Sequence, residues 1–284
     1  MIEGFRAACV IGWPAAHSRS PLIHNYWIKQ HGIIGEYRSE AVPPDQFADF
    51  ASGLADRGYV GGNVTIPHKE AALALSNPDD RATSVGAANT LWLEGGALRS
   101  TNTDVEGFVA NLDSSVTGWD RDLQSALVLG AGGAACAVIF ALLERGVGTI
   151  HVANRTFERA KALRGRFGKR IRPLRWEKMT GPFGGLGLLV NTTSLGMTGQ
   201  PPLEIDLQGL PASAVVADLV YVPLQTPLLT AAHERGLRVA DGLGMLLHQA
   251  VRGFSLWFGV RPDVTAELRT LVEADLRRQR PAVD

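Results

Sequence analysis

Cysteine is scarce in this chain, and neither sign of charge is in excess. Only two cysteines occur in 284 residues, Cys9 and Cys136, far apart and each in apolar surroundings. Neither belongs to a C-x-x-C pair or has metal-ligand spacing. That argues against a disulfide scaffold and predicts buried free thiols in a reducing compartment. Lys plus Arg and Asp plus Glu both number 28. So balanced a chain carries no electrostatic footprint for nucleic acid or an anionic membrane, and neither is an expected partner. Long apolar runs are also lacking. The stretch Leu123–Leu143 has no charged residue and the length of a membrane span. Its middle reads LGAGGAACA, however, so strand, glycine turn and helix describe it better. The N-terminal MIEGFRAACVIGWP, with Glu3 and a short apolar run, lacks the form of a signal peptide. The expectation is a soluble, cytoplasmic protein.

What is present is a globular composition, 45% hydrophobic and rich in turns, with 32 glycines. The length suits one large domain or two of ordinary size. AACVIG (7–12) predicts a buried first strand. SPLIHNYWIKQ follows with helical spacing at Leu22, Ile23, Tyr26 and Trp27; Ser20 is read as its N-cap, Pro21 as its first residue and Gly32 as its close. EYRSEAV predicts a second strand, PDQFADFASGLADRG a second helix, VGGNVTI a third strand, and ANTLWLEGGALRSTNTD a hairpin turning at Gly95–Gly96. After Asp104 strands and helices alternate, the pattern of right-handed βαβ units in a parallel sheet. GLLVNTTSLGM, AVVADLVYVP and LRVADGLGM each carry an apolar strand. The last forty residues read as helical, with a frayed tail over 277–284.

Two stretches carry chemistry. LVLGAGGAA holds Gly130, Gly132 and Ala135 in a G-x-G-x-x-A pattern, after a strand and opening a helix. Glycines there permit a tight turn and close approach of backbone N–H groups to a pyrophosphate, with the positive end of the helix behind them. The next strand runs into NRTFER. An acidic residue would hold a ribose 2′-hydroxyl at that point, but this chain offers Asn154, Arg155 and Thr156, with Arg159 one turn on. A guanidinium beside amide and hydroxyl donors suits a 2′-phosphate, which predicts NADP over NAD. The second stretch is GGNVTIPHKE. Alternation along a strand continued past Pro67 would put Asn63, Thr65 and Lys69 on one face. Spacing alone is better served by an ordinary strand end with a solvated lysine.

HSRSPLIHN, GGNVTIPHK, GAANTL, NTD, GAGGAA, NRTFERA, NTTSLGM, DLVYVP and DGLGMLLHQA occur in this order. Together they resemble the shikimate dehydrogenase family, over Ile11 to about Gly259. The resemblance implies an α/β protein: an N-terminal α/β substrate domain over 1–105, completed by C-terminal helices 243–284, and a Rossmann-like, doubly wound NADP-binding domain over 106–242, with a cleft between them. It implies reversible reduction of 3-dehydroshikimate by NADPH to shikimate, a step toward chorismate and the aromatic amino acids. It leaves the oligomeric state open, a homodimer included.

Residue roles follow from the same resemblance. Ser18 and Ser20 match the serines that hold the substrate carboxylate, and a helix N-terminus there favours an anion. Asn63, Thr65, Lys69, Asn89 and Asp104 match binders of the ring hydroxyls. Tyr221 and Gln249 match further substrate contacts. Gly130, Ala131, Gly132, Gly133 and Ala134 match one cofactor phosphate segment, and Asn154, Arg155, Thr156 and Arg159 the other. Leu219 and Gly242 match backbone positions near the nicotinamide, and Asp80 matches a cofactor contact by its spacing from Asn89. Ser100 and Thr101 replace a pair that commonly includes glycine, and Ala88 stands where valine is usual. Hydride reduction of a ketone requires a proton donor within hydrogen-bond reach of its oxygen. Lys69 is the expected donor and Asp104 its orienting partner. No metal is required, and His17, His24 and His68 read as structural. The rival readings are a quinate-oxidising or NAD-using relative and a non-catalytic ligand sensor.

Overall fold

The computed structural model describes residues 4–179 and 185–278. The chain divides into two compact units, Met1–Thr103 with Gln249–Asp284, and Asp104–His248.

The first unit opens with strand β1 (Arg6–Gly12) and helix α1 (Ser20–Gln30), then β2 (Gly35–Ala41), α2 (Phe47–Ser52), β3 (Tyr59–Val64), α3 (Lys69–Leu75), β4 (Asn77–Pro78), α4 (Asp80–Val85), β5 (Thr90–Glu94) and β6 (Ala97–Thr101). Its sheet runs β2-β1-β3-β5-β6-β4. β1 is parallel to both β2 and β3, while β5 is antiparallel to β3 and β6. The expected hairpin forms, turning at Gly95–Gly96 between β5 and β6. β1 is buried along six of its seven residues. It feeds a core of Cys9, Ile11, Phe47, Leu54, Val64 and Leu91. Each large apolar side chain so buried contributes about 1.5–3 kcal/mol of transfer free energy.

The second unit contains α5 (Asp104–Ser115), β7 (Ser125–Leu129), α6 (Gly133–Glu144), β8 (Thr149–Asn154), α7 (Phe157–Phe167), β9 (Ile171–Arg175), β10 (Leu188–Asn191), β11 (Val215–Asp218), α8 (Pro227–Glu234) and β12 (Arg238–Ala240). All six strands are parallel, in the order β12-β11-β10-β7-β8-β9. Counted from β7 this is 3-2-1-4-5-6, the doubly wound Rossmann order, whose direction reverses between β7 and β10. The chain closes with α9 (Gly242–Phe258), within which the boundary between units falls, and α10 (Ala266–Arg278). No helix among the described residues is long and apolar enough to cross a membrane. Both cysteines are buried.

Several expectations change. The third strand stops at Val64, and Lys69 is the first residue of α3 rather than a strand end. Pro67 has no N–H to continue a ladder. The His68 N–H turns back to the Thr65 carbonyl at 2.9 Å, and KEAALAL supplies good helix formers. Ser20 is inside α1, not its cap: Arg19 is the N-cap residue, and the Ser20 N–H donates to Ser18 Oγ at 3.2 Å. The serine before the helix, and not Ser20, thus satisfies an end amide. The second helix is shorter than expected, a 3-10 turn over Pro44–Gln46 and then α2, ending before Gly53. β9 was not expected. It carries two arginines and Pro173, which an edge strand tolerates. α10 runs on to Arg278, and the rest of the expected tail, 279–284, lies outside the described residues.

Candidate active site

In the first unit the candidate residues gather around the ends of β1 and β3. The Thr65 N–H donates to the Ile11 carbonyl at 2.9 Å, which keeps the Thr65 segment beside the end of β1. From there the chain passes through Ser18, half-buried, to Ser20, which is buried. Lys69 is half-buried, and its carbonyl accepts the Ala88 N–H at 2.9 Å, tying the first turn of α3 to the segment that carries Asn89. His68 anchors the same turn. Its ring stacks on Phe47, with centroids 4.4 Å apart, and its Nε2 lies 2.7 Å from the Val42 carbonyl.

A buried hydrogen-bond network joins three of the expected residues. Asn63 Oδ1 accepts from Tyr37 Oη at 2.7 Å. Asn63 Nδ2 donates to the Asn89 carbonyl at 3.3 Å and to Thr90 Oγ1 at 3.2 Å. Asn89 Oδ1 in turn accepts the Thr103 N–H at 2.7 Å, and Thr103 Oγ1 donates to Gln249 Oε1 at 3.4 Å. All of these residues are buried. Burial pushes the Tyr37 phenol well above its usual pKa, so it remains a neutral O–H donor to Asn63. Nothing in the sequence pattern marks Tyr37, Thr90 or Thr103 as a site residue. Asp80 is exposed at the first position of α4, outside this network.

In the second unit the candidate residues lie at the C-terminal ends of parallel strands, where doubly wound sheets bind ligands. Gly130 follows β7 with φ +110°, and a side chain there would meet Thr192 Oγ1 at 2.5 Å. The loops after β7 and β10 therefore touch at the point where the strand order reverses. Thr192 Oγ1 also donates to the Leu129 carbonyl at 2.7 Å. Gly132 is the N-cap of α6, and a side chain at either Gly132 or Gly133 would point into open space. With Ala131 and Ala134 they make a cradle of small residues at the positive end of a helix, which fits a pyrophosphate. Asn154 ends β8, and its Nδ2 donates to the Thr156 carbonyl at 2.9 Å. Arg155, Thr156 and Arg159 are exposed around the start of α7, which fits a 2′-phosphate. Leu219 and Gly242 meet directly: any side chain at 242 would overlap the Leu219 carbonyl. Tyr221 is half-buried two residues further on, and Asp104 is half-buried at the first position of α5. Among the described residues no group of three or more His, Cys, Asp or Glu could hold a metal.

Strand order and glycine cradle define the class, the doubly wound dinucleotide-binding α/β proteins. Family models described as the shikimate dehydrogenase substrate binding domain, shikimate / quinate 5-dehydrogenase and the shikimate 5'-dehydrogenase C-terminal domain match residues 10–91, 114–194 and 242–270. A protein of Rhodopseudomonas palustris strain TIE-1 named shikimate dehydrogenase (NADP(+)) is 68% identical over 95% of this chain and 97% of its own. One of the same name from Nitrobacter winogradskyi is 67% identical over the same shares. Among solved structures, shikimate 5-dehydrogenase from Thermus thermophilus, in complex with NADP(H) and shikimate, is 37% identical with a TM-score of 0.82, covering 96% of this chain and 99% of that one. Quinate dehydrogenase from Corynebacterium glutamicum, in complex with NAD, is 30% identical with a TM-score of 0.87, covering 95% and 99%. The chain belongs to the shikimate dehydrogenase family.

Proposed function

We propose that this chain catalyses the reversible reduction of 3-dehydroshikimate to shikimate with NADPH, in the route to chorismate and the aromatic amino acids. The observation that carries the reading is near-full-length identity to proteins named for that activity. The first unit binds the substrate and the second binds NADP. Ser18 and Ser20 hold the carboxylate, whose charge the N-terminus of α1 favours. Thr65, Asn89, Asp104, Tyr221 and Gln249 take up ring hydroxyls and neighbouring substrate atoms. Asn63 supports Asn89 and Thr90 through its two donated bonds.

When bound, NADPH supplies the hydride. Lys69 donates a proton to the ketone oxygen as negative charge builds there, and its neutral form takes the proton back in the oxidising direction. Asp104 accepts from the same hydroxyl and keeps it directed at the lysine. Gly130–Ala134 cradle the pyrophosphate with backbone N–H groups, while Asn154, Arg155, Thr156 and Arg159 hold the 2′-phosphate. Leu219 and Gly242 offer backbone groups to the nicotinamide. Asp80 adds a cofactor contact from α4. The buried, separate thiols suit a reducing compartment, and we take the enzyme to work in the cytoplasm.

The test follows NADPH absorbance with shikimate and with quinate, each with NADP and with NAD. Fastest turnover is expected with shikimate and NADP. Preference for quinate or NAD would move the chain to the other branch of the family. Saturable shikimate binding without turnover would make it a sensor.

A further inference from the structure

Asp218 is buried, ends β11 and lies one residue before Leu219, yet nothing in the chemistry above uses it. Its carboxylate accepts three hydrogen bonds. Asn191 Nδ2 donates to Oδ1 at 2.9 Å, the Val220 N–H donates to Oδ1 at 3.0 Å, and Thr226 Oγ1 donates to Oδ2 at 2.7 Å. The donors come from the end of β10, the segment after β11, and the N-cap of α8. Burial raises the carboxyl above its ordinary pKa, so these bonds hold the group against the cost of desolvation.

The Val220 N–H belongs to the same planar peptide unit as the Leu219 carbonyl. In a trans peptide the two point in opposite directions, so an acceptor that fixes one fixes the other. The Leu219 N–H is also held, donating to the Asn191 carbonyl at 3.0 Å. On the far side, Gly242 leaves the Leu219 carbonyl the room a side chain would take.

We infer that Asp218 is a positioning residue for the cofactor, setting the direction of the Leu219 carbonyl so that it accepts a hydrogen bond from the nicotinamide carboxamide. This rests on the assignment above of NADP to the second unit and of Leu219 to the nicotinamide. Thr226 keeps the carboxylate from turning away, and Asn191 ties it to the neighbouring strand.

The test compares NADP⁺ with its 3-acetylpyridine analogue, in which a methyl group replaces the carboxamide NH₂ and no donor remains. Dissociation constants are measured by calorimetric titration of the purified, cofactor-free protein. The wild type should bind NADP⁺ about three- to tenfold more tightly, the worth of one neutral hydrogen bond. Asp218→Ala should abolish that preference by weakening NADP⁺ alone. Asp218→Asn keeps an acceptor for the Val220 N–H and should retain it. If Asp218→Ala does not fold, Thr226→Val serves instead. It releases Oδ2 and should cut the preference at least by half, whereas Thr226→Ser should not. Equal weakening of both ligands in Asp218→Ala, or full preference in a folded Thr226→Val, overturns the inference. So does a wild type that binds both ligands equally. A wild type that binds no NADP⁺ at all overturns the functional reading beneath it.

Discussion

The two units solve recognition differently. In the first, three of the candidate residues are buried amides in one network, linked from Tyr37 through Asn63, Asn89 and Thr103 to Gln249 across β2, β3, the β5 end and α9. In the second, the candidate groups are backbone at Gly130–Gly133 and exposed side chains at Arg155, Thr156 and Arg159. A mixed sheet brings side chains from distant segments onto one polar cluster, where each supports the next. A parallel sheet delivers helix N-termini and loops at strand ends, and these need little from side-chain neighbours. Substitutions within this buried network should therefore couple binding to stability. Those at the 2′-phosphate should separate them.

The largest effect should come from Lys69→Ala. Its ammonium matters most once charge has developed on the ketone oxygen, so turnover should fall about a hundred- to ten-thousandfold. Shikimate affinity should change far less, the pattern of an interaction made in the transition state. Lys69 stands at a helix N-terminus, where a cation is not stabilising, so the variant should keep its fold. Turnover within a few-fold of wild type would return Lys69 to an ordinary helix start.

Next comes Arg155→Ala. Loss of a charged hydrogen bond to the 2′-phosphate should weaken NADP by about ten- to a hundredfold while leaving NAD almost unchanged. The residue is exposed, so unfolding free energy should shift by no more than about 0.5 kcal/mol. Equal losses for both cofactors would contradict the 2′-phosphate assignment, and a large stability loss would blur the contrast between units.

Tyr37→Phe probes the other side of that contrast. It strips the buried Asn63 Oδ1 of its donor, which should cost about 1–3 kcal/mol in chemical denaturation. Through Asn63 it should also raise the Michaelis constant for shikimate and leave that for NADP alone. An unchanged denaturation midpoint would mean that the network is not a cooperative unit.

The last expected effect is a pH slope. His24 is buried against Tyr37, Trp27, Phe254 and Trp257, and burial lowers its pKa to about 3. The unfolded chain binds this proton near the ordinary value of 6.5, so below that pH it is the unfolded state that gains protons. The neutral folded ring thus contributes stability that is full above 6.5 and is lost as pH falls toward 3. The slope from this group approaches about 1.4 kcal/mol per pH unit. Stability of wild type and His24→Phe, measured from about pH 7 to about 4, should diverge in slope. Parallel curves would show that His24 does not titrate in this way.

Much of this was legible because it is local. The hairpin at Gly95–Gly96 and the β7-glycine-α6 turn are specified within a few residues by backbone freedom and apolar periodicity. The same local reasoning misread GGNVTIPHKE, carrying strand alternation through Pro67 when the chain turned at His68 and began a helix. It also gave Ser20 the capping role that Ser18 Oγ performs. Ile171–Arg175, broken by two arginines and a proline, showed no apolar run to mark it, and an edge strand has only one neighbour to satisfy.

By itself the sequence determined the kinds of group available: a glycine turn for a pyrophosphate, cations where an acid would select NAD, and a lysine among amides and hydroxyls. Which of these act together was decided by tertiary structure alone. Tyr37 meets Asn63 across 26 positions, Thr103 meets Gln249 across 146, and Asn191 meets Asp218 across 27. A buried hydrogen bond depends on direction and distance between two fixed frames. Side-chain periodicity sets direction only within one element, so partners in different elements are found only once the sheets have aligned them.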